Sequence, residues 1–257
     1  MAEIHETAII SPRAELGEDV TVGPYAVVDG PAVIGAGTVI GPYVLIEGDV
    51  AVGQRCRVFS HAVLGTIPQD LKFEGEESNL VIGDGTTVRE FVTVNRGTKA
   101  SGTTRVGAGC LLMAYAHVAH DCLLGDSVAL ANCATLAGHV EIGDYAFIGG
   151  LSAVHQFTRV GKHAYVGGMS RVSQDVIPYA LTASDPTRVV GINVVGLQRR
   201  GFPPKTRSAL KRAYQIIYKE NLNRTQAIAK LEAELGDVSE VRDVVDFLKS
   251  SERGILK

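Results

Sequence analysis

The sequence has no strong excess of charge of either sign, and this narrows the classes of partner. Its 257 residues contain 25 lysines and arginines against 28 aspartates and glutamates, which leaves a formal net charge of −3. Nucleic-acid binding draws its affinity mainly from basic residues that neutralise phosphates. The composition therefore argues against a nucleic acid as the main partner.

Cysteines, export signals and long apolar runs are equally scarce. The four cysteines have no spacing typical of a metal site or of paired disulfides. The N-terminal residues MAEIHETAII lack the basic stretch and the following apolar stretch of a signal peptide. No apolar run approaches the roughly 18 residues that a membrane-spanning helix needs. The sequence therefore predicts a cytoplasmic protein with no membrane span.

What the sequence does contain is a period of six residues. From Ile4 to Val172 there are 29 positions spaced six apart, and 26 of them are Ile, Leu or Val. Only Asp70, Glu76 and Ala100 break the series. The residue after each aliphatic is often glycine, which is expected to supply backbone angles that other residues resist. A short fixed period is typical of a parallel β-helix, in which each unit buries its apolar face by stacking on the next.

The period therefore predicts a mainly β fold, with a parallel β-helix over residues 1–178. Three six-residue units make one triangular coil, so residues 18 apart stack on neighbouring coils about 4.8 Å apart. Parallel crossovers are nearly always right-handed, so a left-handed coil is inferred from similarity to hexapeptide-repeat proteins and not from the period. A β-sandwich is the alternative, and the long unbroken phase argues against it.

Two loop insertions interrupt the period, near residues 66–80 and 99–104, and both return to the original phase. Long loops in compact domains are usually functional or disordered. The first insertion contains Gln69, Asp70 and Lys72 close together, which suits contact with a substrate. A solvated insertion without a function is the alternative.

After Pro178 the period ends, and residues 179–257 predict a linker followed by a small α-helical C-terminal domain. The linker runs to about residue 201, and helical spacing of apolar residues starts after Pro204. Further helices are expected over about 224–235 and 239–251. These helices would cap the open end of the β-helix, where a terminal coil exposes unpaired backbone groups.

A basic run crosses the start of this domain. Six basic residues fall within fourteen positions that contain no acid: Arg199, Arg200, Lys205, Arg207, Lys211 and Arg212. They form either a solvated helix face or a docking patch for an acidic partner or a nucleotide diphosphate.

The 18-residue coil also groups the histidines. Counting by coils places seven residues on one strip about two coils tall: His117, His120, Asp121, Gly138, His139, His155 and Gln156. Single histidines are mostly surface or core residues. Four histidines beside a carboxylate and a glycine form a constellation typical of a site.

Two chemistries could use this strip. A histidine held by a carboxylate can act as a general base on a hydroxyl, and the Gly138 N–H could stabilise a developing oxyanion. Alternatively, several histidines could bind zinc with water in an open position, as in the hexapeptide-repeat carbonic anhydrases. The spacing alone leaves both chemistries open.

Six stretches are more specific than the period: QDLKFEGE (69–76), AHVAHDC (116–122), NCATLAGHV (132–140), IGGLSAVHQF (148–157), VGGMS (166–170) and GLQRRGF (196–202). Together with the helical C-terminal region, they resemble the UDP-N-acetylglucosamine O-acyltransferases, which perform the first step of lipid A biosynthesis. The resemblance covers the whole chain. It implies a homotrimer with active sites between subunits, and transfer of an (R)-3-hydroxyacyl group from acyl carrier protein to the 3-hydroxyl of UDP-N-acetylglucosamine. It implies no metal and no cofactor other than the phosphopantetheine of the carrier protein.

The resemblance also assigns roles to residues. His120 would be the general base, Asp121 would support it, and the Gly138 N–H would stabilise the thioester oxyanion. Gly168, beside Met169, matches the position that measures acyl length. The substrate-binding residues would be Gln69, Asp70, Lys72, His117, His139, His155, Gln156, Asn193, Arg199 and Arg200.

The chain departs from the family pattern at two positions. Asn95 stands where better-known members carry histidine, and Val195 stands where they carry an acid. These departures bear on the sugar and nucleotide contacts, and on whether a 3-amino sugar nucleotide is the acceptor. Two alternatives stay open at this point: the related UDP-3-O-acylglucosamine N-acyltransferase, whose N-terminal uridine-binding domain has no room before Ile4, and the zinc-dependent carbonic anhydrase.

Overall fold

The chain folds as a left-handed parallel β-helix followed by four helices, so the fold class predicted from the sequence is confirmed. The computed structural model describes residues 1–183 and 185–257. Three sheets, here named A, B and C, form the faces of a triangular prism. Consecutive strands belong to A, B and C in turn, and each strand pairs in parallel with the strand one coil away.

The strands are numbered along the chain. Sheet A contains β1 Glu3–Ile4, β4 Thr21–Val22, β7 Val39–Ile40, β10 Arg57–Val58, β13 Thr87–Val88, β16 Leu111–Leu112, β19 Ala129–Leu130, β22 Phe147–Ile148, β25 Tyr165–Val166, β27 Ala180–Ala183 and β28 Arg188–Ile192. Sheet B contains β2 Ile9–Ile10, β5 Val27–Asp29, β8 Leu45–Glu47, β11 Val63–Thr66, β14 Thr93–Asn95, β17 His117–Val118, β20 Thr135–Leu136, β23 Ala153–Val154 and β26 Arg171–Val172. Sheet C contains β3 Glu15–Leu16, β6 Val33–Ile34, β9 Asp49–Val52, β12 Asn79–Ile82, β15 Thr103–Val106, β18 Leu123–Leu124, β21 Glu141–Ile142 and β24 Arg159–Val160.

The core of the prism is the aliphatic series read from the sequence. Ile34, Ile40 and Ile46 come from three successive sheets and are at most 1% exposed. Small residues such as Ala26 and Ala32 fill the corners between them and are fully buried. The stacking of aliphatics on aliphatics gives the coil its main apolar contribution to stability.

Most glycines after the aliphatics have a different role from the one expected, although Gly65 has a positive φ of 83°. At Gly35 and Gly107 the backbone angles are ordinary, but an added Cβ would lie 2.5 Å and 2.3 Å from backbone atoms of the next coil. These glycines are needed for close approach of coils. The left-handed angles fall two residues later, on side chains such as Tyr43 (φ 57°) and Asp121 (φ 58°).

The three edges of the prism are named by the sheets that they join. The coil repeat is 18 residues where β16 pairs with β19, but 30 residues where β10 pairs with β13 and 24 where β13 pairs with β16. Both insertions therefore lie at the B–C edge, over residues 67–78 and 96–102. The second loop begins three residues earlier than expected, after β14, and ends two residues earlier, because Thr103 and Thr104 pair with Asn79 and Leu80 as part of a longer strand.

The C-terminal region is less of a linker than the sequence predicts. Strand β27 pairs with β25 only 16 residues earlier, which ends the six-residue phase, and β28 then pairs with β27 in antiparallel orientation. The helices are α1 Val194–Arg199, α2 Pro204–Lys219, α3 Arg224–Leu235 and α4 Ser239–Ser250. Helix α1 was not predicted. Among the described residues, no helix has the length and apolar character required to cross a membrane.

Candidate active site

The predicted histidine strip lies at the B–C edge. His120 and Asp121 occupy the turn between β17 and β18. Gly138 and His139 occupy the same turn one coil later, and the His139 N–H donates to the His120 carbonyl at 3.0 Å. The strip continues one coil further at His155, whose turn leads from β23 to β24. The six-residue register therefore positions these side chains, because every third turn returns to the same edge.

His120 and Asp121 form a hydrogen-bonded pair. The His120 Nδ1 lies 2.8 Å from the Asp121 Oδ2, and the Asp121 side chain is fully buried. An ionised carboxylate only accepts hydrogen bonds, so Nδ1 carries the proton. In the neutral imidazole, Nε2 then carries a free lone pair. This is the tautomer that a general base requires.

The Asp121 carboxylate is held by the second insertion. Its Oδ1 accepts from the Thr98 N–H at 3.0 Å and from the Ser101 hydroxyl, while its Oδ2 accepts from the Thr98 hydroxyl at 2.7 Å. Burial alone would raise the pKa of Asp121, but the hydrogen bonds from Ser101, His120 and Thr98 lower it to about 2. The carboxylate is therefore ionised at neutral pH despite its burial.

Gly138 makes room for the His120 ring. A Cβ at position 138 would lie 2.5 Å from the His120 Cε1 and 2.6 Å from the Nε2. Among the described residues, the Gly138 N–H donates to no protein acceptor. A backbone donor without a partner, beside the free nitrogen of His120, is available to a bound substrate.

His139 completes the centre of the strip. Its ring meets the His120 ring edge to face at 5.1 Å and stacks on Phe157 at 4.4 Å. Burial lowers the pKa of His139, the nearby Asp121 and Asp70 carboxylates raise it, and the net direction is downward. His139 is therefore mainly neutral at neutral pH and can donate or accept a hydrogen bond.

The outer histidines have partners of their own. The His117 Nδ1 lies 2.7 Å from the Thr93 hydroxyl, and burial together with His120 lowers its pKa. The His155 Nδ1 lies 2.9 Å from an amino group of Arg253, at the C-terminal end of the chain. The same Nδ1 lies 3.1 Å from the Gln156 carbonyl, which only accepts, so it can bond Arg253 through its lone pair or Gln156 through its proton, but not both at once. His155 and Gln156 are exposed at the mouth of the strip.

The first insertion borders the site. The Asp70 carboxylate accepts from the Lys72 N–H at 3.0 Å, and its charge acts on His139. Gln69 is exposed beside them. Asn95 is buried at the root of this loop, where its amide donates to the Thr66 hydroxyl and to the Ile67 carbonyl, both at 3.1 Å. Asn95, which stands where better-known family members carry histidine, therefore anchors the first loop.

The other predicted site residues lie on different edges of the same chain. At the C–A edge, the Asn193 amide donates to the His163 carbonyl at 3.0 Å, and the Arg200 guanidinium lies 4.1 Å from the centre of the Tyr145 ring. Arg199 is exposed next to Arg200. Gly168 and Met169 lie at the A–B edge, where Met169 is 79% exposed. One chain does not bring these groups to the histidine strip.

One arginine of the basic run is neutralised by acidic residues that lie later in the sequence. Arg212 forms ion pairs with Glu220 at 2.6 Å and Glu234 at 2.9 Å. Lys205 and Lys211 stay exposed near Arg199. The patch that remains available to a partner is therefore smaller than the sequence predicts.

Three residues of this site are not predicted by the sequence pattern: Thr98, Ser101 and Arg253. The first two could have been found from the 24-residue coil across the second insertion, which places residue 97 beneath Asp121. Arg253 had no such signal, because the C-terminal segment reaches the B–C edge only through tertiary contacts. The Asp175 carboxylate accepts from the Ser251 hydroxyl at 2.8 Å and so holds that segment in place.

His120, Asp121 and His139 also offer three potential metal ligands within 4.8 Å of one another. The donor set is compatible with zinc. Each Asp121 oxygen, however, already accepts two hydrogen bonds from protein donors. A metal on this carboxylate would have to displace at least one of them.

Comparisons with known proteins point in one direction. Residues 175–256 match the family described as "Udp N-acetylglucosamine O-acyltransferase; Domain 2". The chain is 48% identical over 258 residues to the acyl-[acyl-carrier-protein]–UDP-N-acetylglucosamine O-acyltransferase of Thiobacillus denitrificans, and the match covers 100% of both chains. The protein of the same name from Thermodesulfovibrio yellowstonii is 45% identical, again over 100% of both chains.

Solved structures agree with these relatives. The UDP-N-acetylglucosamine acyltransferase of Bacteroides fragilis matches with a TM-score of 0.97 and 42% identity, over 98% of this chain and 99% of that one. The UDP-N-acetylglucosamine O-acyltransferase of Moraxella catarrhalis matches with a TM-score of 0.96 and 36% identity, over 99% of each chain. Neither an N-acyltransferase nor a carbonic anhydrase is favoured by these similarities.

Proposed function

Because this chain belongs to the acyl-[acyl-carrier-protein]–UDP-N-acetylglucosamine O-acyltransferase family, we propose that it moves an (R)-3-hydroxyacyl group from acyl carrier protein to the 3-hydroxyl of UDP-N-acetylglucosamine. This reaction is the first step of lipid A biosynthesis. The observation that carries the proposal is the His120–Asp121 pair, whose ring packs against Gly138, a residue whose N–H donates to no acceptor among the described residues.

His120 is the general base. Its Nε2 takes the proton of the sugar 3-hydroxyl as the oxygen attacks the thioester carbonyl. The buried negative charge of Asp121 stabilises the imidazolium that forms and holds its Nδ1 proton in place. The geometry of the pair therefore supports proton transfer from the sugar hydroxyl to the His120 Nε2.

The Gly138 N–H stabilises the oxyanion. Attack on the thioester forms the new C–O bond and places negative charge on the former carbonyl oxygen, where a backbone donor is most effective. Collapse breaks the C–S bond, and His120 returns its proton to the leaving thiolate of the phosphopantetheine arm. A thioester is already activated, so this direct transfer requires no covalent enzyme intermediate, metal ion or further cofactor.

The remaining predicted residues bind the substrates. His139, whose ring centre lies 5.1 Å from that of His120, and the Asp70 region of the first loop would contact the sugar. The full set of substrate-binding residues proposed is Gln69, Asp70, Lys72, His117, His139, His155, Gln156, Asn193, Arg199 and Arg200.

A homotrimer completes the active site. The candidate residues occupy three different edges of one prism, and only association of copies about an axis along the prism brings unlike edges together. The A–B edge also exposes a ladder of apolar side chains that a lone chain would leave in water: Tyr25, Tyr43, Phe91, Tyr115, Leu151 and Met169. Contiguous exposed apolar surface of this kind marks an interaction site. In the trimer, Gly168 and Met169 of one copy border the acyl chain held by the next and limit its length.

The carrier protein docks on the basic surface near the C–A edge. Arg199, Lys205 and Lys211 are exposed, and acyl carrier protein is acidic, so the charges are complementary. The donor is a cytoplasmic protein, and the four free cysteines agree with a reducing compartment. We therefore place the reaction in the cytoplasm.

The central test is the substitution His120→Ala. Purified protein is assayed with UDP-N-acetylglucosamine and carrier protein loaded with a series of 3-hydroxyacyl chains, and a general base is worth about 10²- to 10⁴-fold in rate. We expect a loss of kcat in this range while the oligomeric state is retained. The matched control is His5→Ala, which removes an exposed histidine of the first coil whose ring contacts Thr7.

Three results would overturn parts of this proposal. Wild-type-like transfer by the His120→Ala protein would exclude His120 as the base. Failure of every chain length with UDP-N-acetylglucosamine, together with transfer to its 3-amino analogue, would change the acceptor. Stoichiometric zinc in the purified protein, with activity lost on chelation, would favour the metal-dependent alternative.

A further inference from the structure

The second insertion lies directly against the proposed catalytic pair. Residues 96–102 leave the regular coil at the B–C edge, between β14 and β15. The loop itself contains no histidine or carboxylate. Its inner side nevertheless supplies three of the four hydrogen bonds to the Asp121 carboxylate, and His120 supplies the fourth.

These four hydrogen bonds leave the carboxylate no freedom to turn. An ionised carboxylate has about four lone-pair directions. The Thr98 N–H and the Ser101 hydroxyl occupy two of them on Oδ1, and the Thr98 hydroxyl occupies one on Oδ2. The fourth is filled by the His120 Nδ1. The position and tautomer of the imidazole thus depend on donors that come from the loop.

The loop is anchored independently of Asp121. The Gly97 N–H donates to the Asn79 carbonyl at 3.1 Å, and the Gly102 carbonyl accepts from the Asn79 N–H at 2.9 Å. The Lys99 N–H donates to the Glu76 carboxylate at 3.0 Å, which ties this loop to the first insertion. The donors to Asp121 are therefore fixed before any substrate binds.

We propose that Thr98 and Ser101 are positioning residues of the acyl transfer, which act through Asp121 to hold the His120 ring with its proton on Nδ1 and its Nε2 lone pair toward the substrate. Neither residue touches the reacting atoms. This inference rests on the proposed role of His120 as the general base.

The other titratable groups around Asp121 do not replace these donors. The His139 Nε2 lies 3.7 Å from the Asp121 Oδ2, which is too far for a hydrogen bond. The Cys122 thiol donates to the Ala137 carbonyl instead. Removal of a loop hydroxyl therefore leaves a buried charge with an empty acceptor site, which is costly.

The test compares Thr98→Val and Ser101→Ala with a matched control. Thr98→Val keeps the shape and the backbone donor but removes the hydroxyl, while Ser101→Ala changes an exposed residue and is expected to fold normally. A small misplacement of a catalytic group is costly in rate. We expect kcat to fall about tenfold in each variant, and KM for both substrates to change less than about twofold. Thr98→Ser, which restores the hydroxyl, is expected to recover most of the activity.

The control is Thr86→Val. Thr86 is buried, donates to the Gly107 carbonyl at 2.8 Å and accepts from the Cys110 N–H, so it loses the same kind of hydroxyl away from Asp121. It is expected to lower thermal stability about as much as Thr98→Val and to leave kcat unchanged. Loss of kcat in Thr86→Val equal to that in Thr98→Val would reduce Thr98 to a structural residue.

An NMR measurement separates this inference from the proposed function. Nitrogen-15 spectra of His120 are expected to show the Nδ1–H tautomer in the wild-type protein and a clear loss of that population in Thr98→Val and Ser101→Ala. An unchanged tautomer in both variants would overturn the inference, even if His120 proves to be the base. A shifted tautomer together with the fall in kcat would support the inference, whereas a shifted tautomer in a protein whose His120→Ala variant keeps its activity would overturn the proposed role of His120 and, with it, the role of Thr98 and Ser101 in acyl transfer.

Discussion

The A–B and B–C edges use one backbone turn for two purposes. On both edges a residue with φ near +60° holds its side chain away from the prism, and the residue at the same turn position of the next coil stands above it. On the A–B edge these positions form the apolar ladder, where Tyr25, Tyr43, His61, Phe91 and Tyr115 stack at 4.9 to 5.1 Å. On the B–C edge they are Asp121, His139 and Phe157. The same backbone turn therefore holds a side chain outward on both edges. The type of residue at the turn determines whether the edge packs against another surface or forms a candidate active site.

The difference arises from what lies beneath the turn. The A–B edge has no insertion among the described residues, so each ring rests on the ring below. The B–C edge has both insertions, and the loop at 96–102 replaces a stacked side chain beneath Asp121 with hydrogen-bond donors. A repeat fold can therefore build a catalytic group by interrupting its period at one edge only.

Gly138→Ala is expected to have the largest effect of the changes that test this comparison. The new Cβ would lie within 2.6 Å of the His120 Nε2, so the ring has to move away from the substrate. Because displacement of a catalytic group by about 1 Å can cost about 10²-fold in rate, we expect kcat to fall by that order. Steady-state kinetics measures it, and circular dichroism checks that the fold is retained.

The control for this change is Gly150→Ala. Gly150 holds the equivalent turn position on the A–B edge, where the added Cβ would meet nothing closer than the Asn132 carbonyl oxygen at 3.2 Å. We expect this variant to keep kcat within about threefold. If both glycine variants lose activity equally, the distinction between a packing edge and a chemical edge does not hold at these positions.

The acid stability of the protein is expected to depend on the B–C edge. The pKa of Asp121 falls to about 2 in the folded protein, from an ordinary value of 3.8. Because the pKa of Asp121 is lower in the folded than in the unfolded protein, the ionised carboxylate stabilises the fold fully at pH values above 3.8. This contribution is lost as the pH falls through about 2. The shift corresponds to about 2 kcal/mol of unfolding free energy. Asp121→Asn should therefore show a smaller loss of stability than the wild-type protein between pH 5 and pH 2, as measured by urea unfolding.

Asp126→Asn is the matched acid-to-amide change on the C–A edge, where Asp126 accepts from the Ala108 N–H at 2.7 Å. It leaves the Asp121 contribution intact, so its stability should fall between pH 5 and pH 2 as that of the wild-type protein does. A profile for Asp121→Asn that parallels the wild-type one would mean that the loop donors do not hold Asp121 ionised.

The sequence was sufficient for the fold and for the edge that contains the histidines. The aliphatic series specifies every strand of the prism core. The 18-residue coil alone predicts that His120, Gly138 and His139 lie together. It was not sufficient for groups whose position depends on irregular chain. Thr98 was hidden because the insertion changes the coil length, and Arg253 because the C-terminal segment docks through Asp175. The six-residue period predicts the position of residues in the regular coils, whereas the position of residues in the insertions and the C-terminal segment depends on tertiary contacts.

Leu151→Asp tests whether the apolar ladder of the A–B edge is the contact between subunits. Leu151 is 66% exposed on the A–B edge, so a charge there would be buried against another copy only at considerable cost. We expect the variant to dissociate on dilution, as seen by light scattering, and to lose about tenfold in specific activity at low concentration, with recovery at high concentration by mass action. Val33→Asp, at a position that is 48% exposed on strand β6 of sheet C, is expected to leave assembly unchanged. If Leu151→Asp stays associated with normal activity, the apolar ladder is not the subunit contact, and the three edges must meet by another surface.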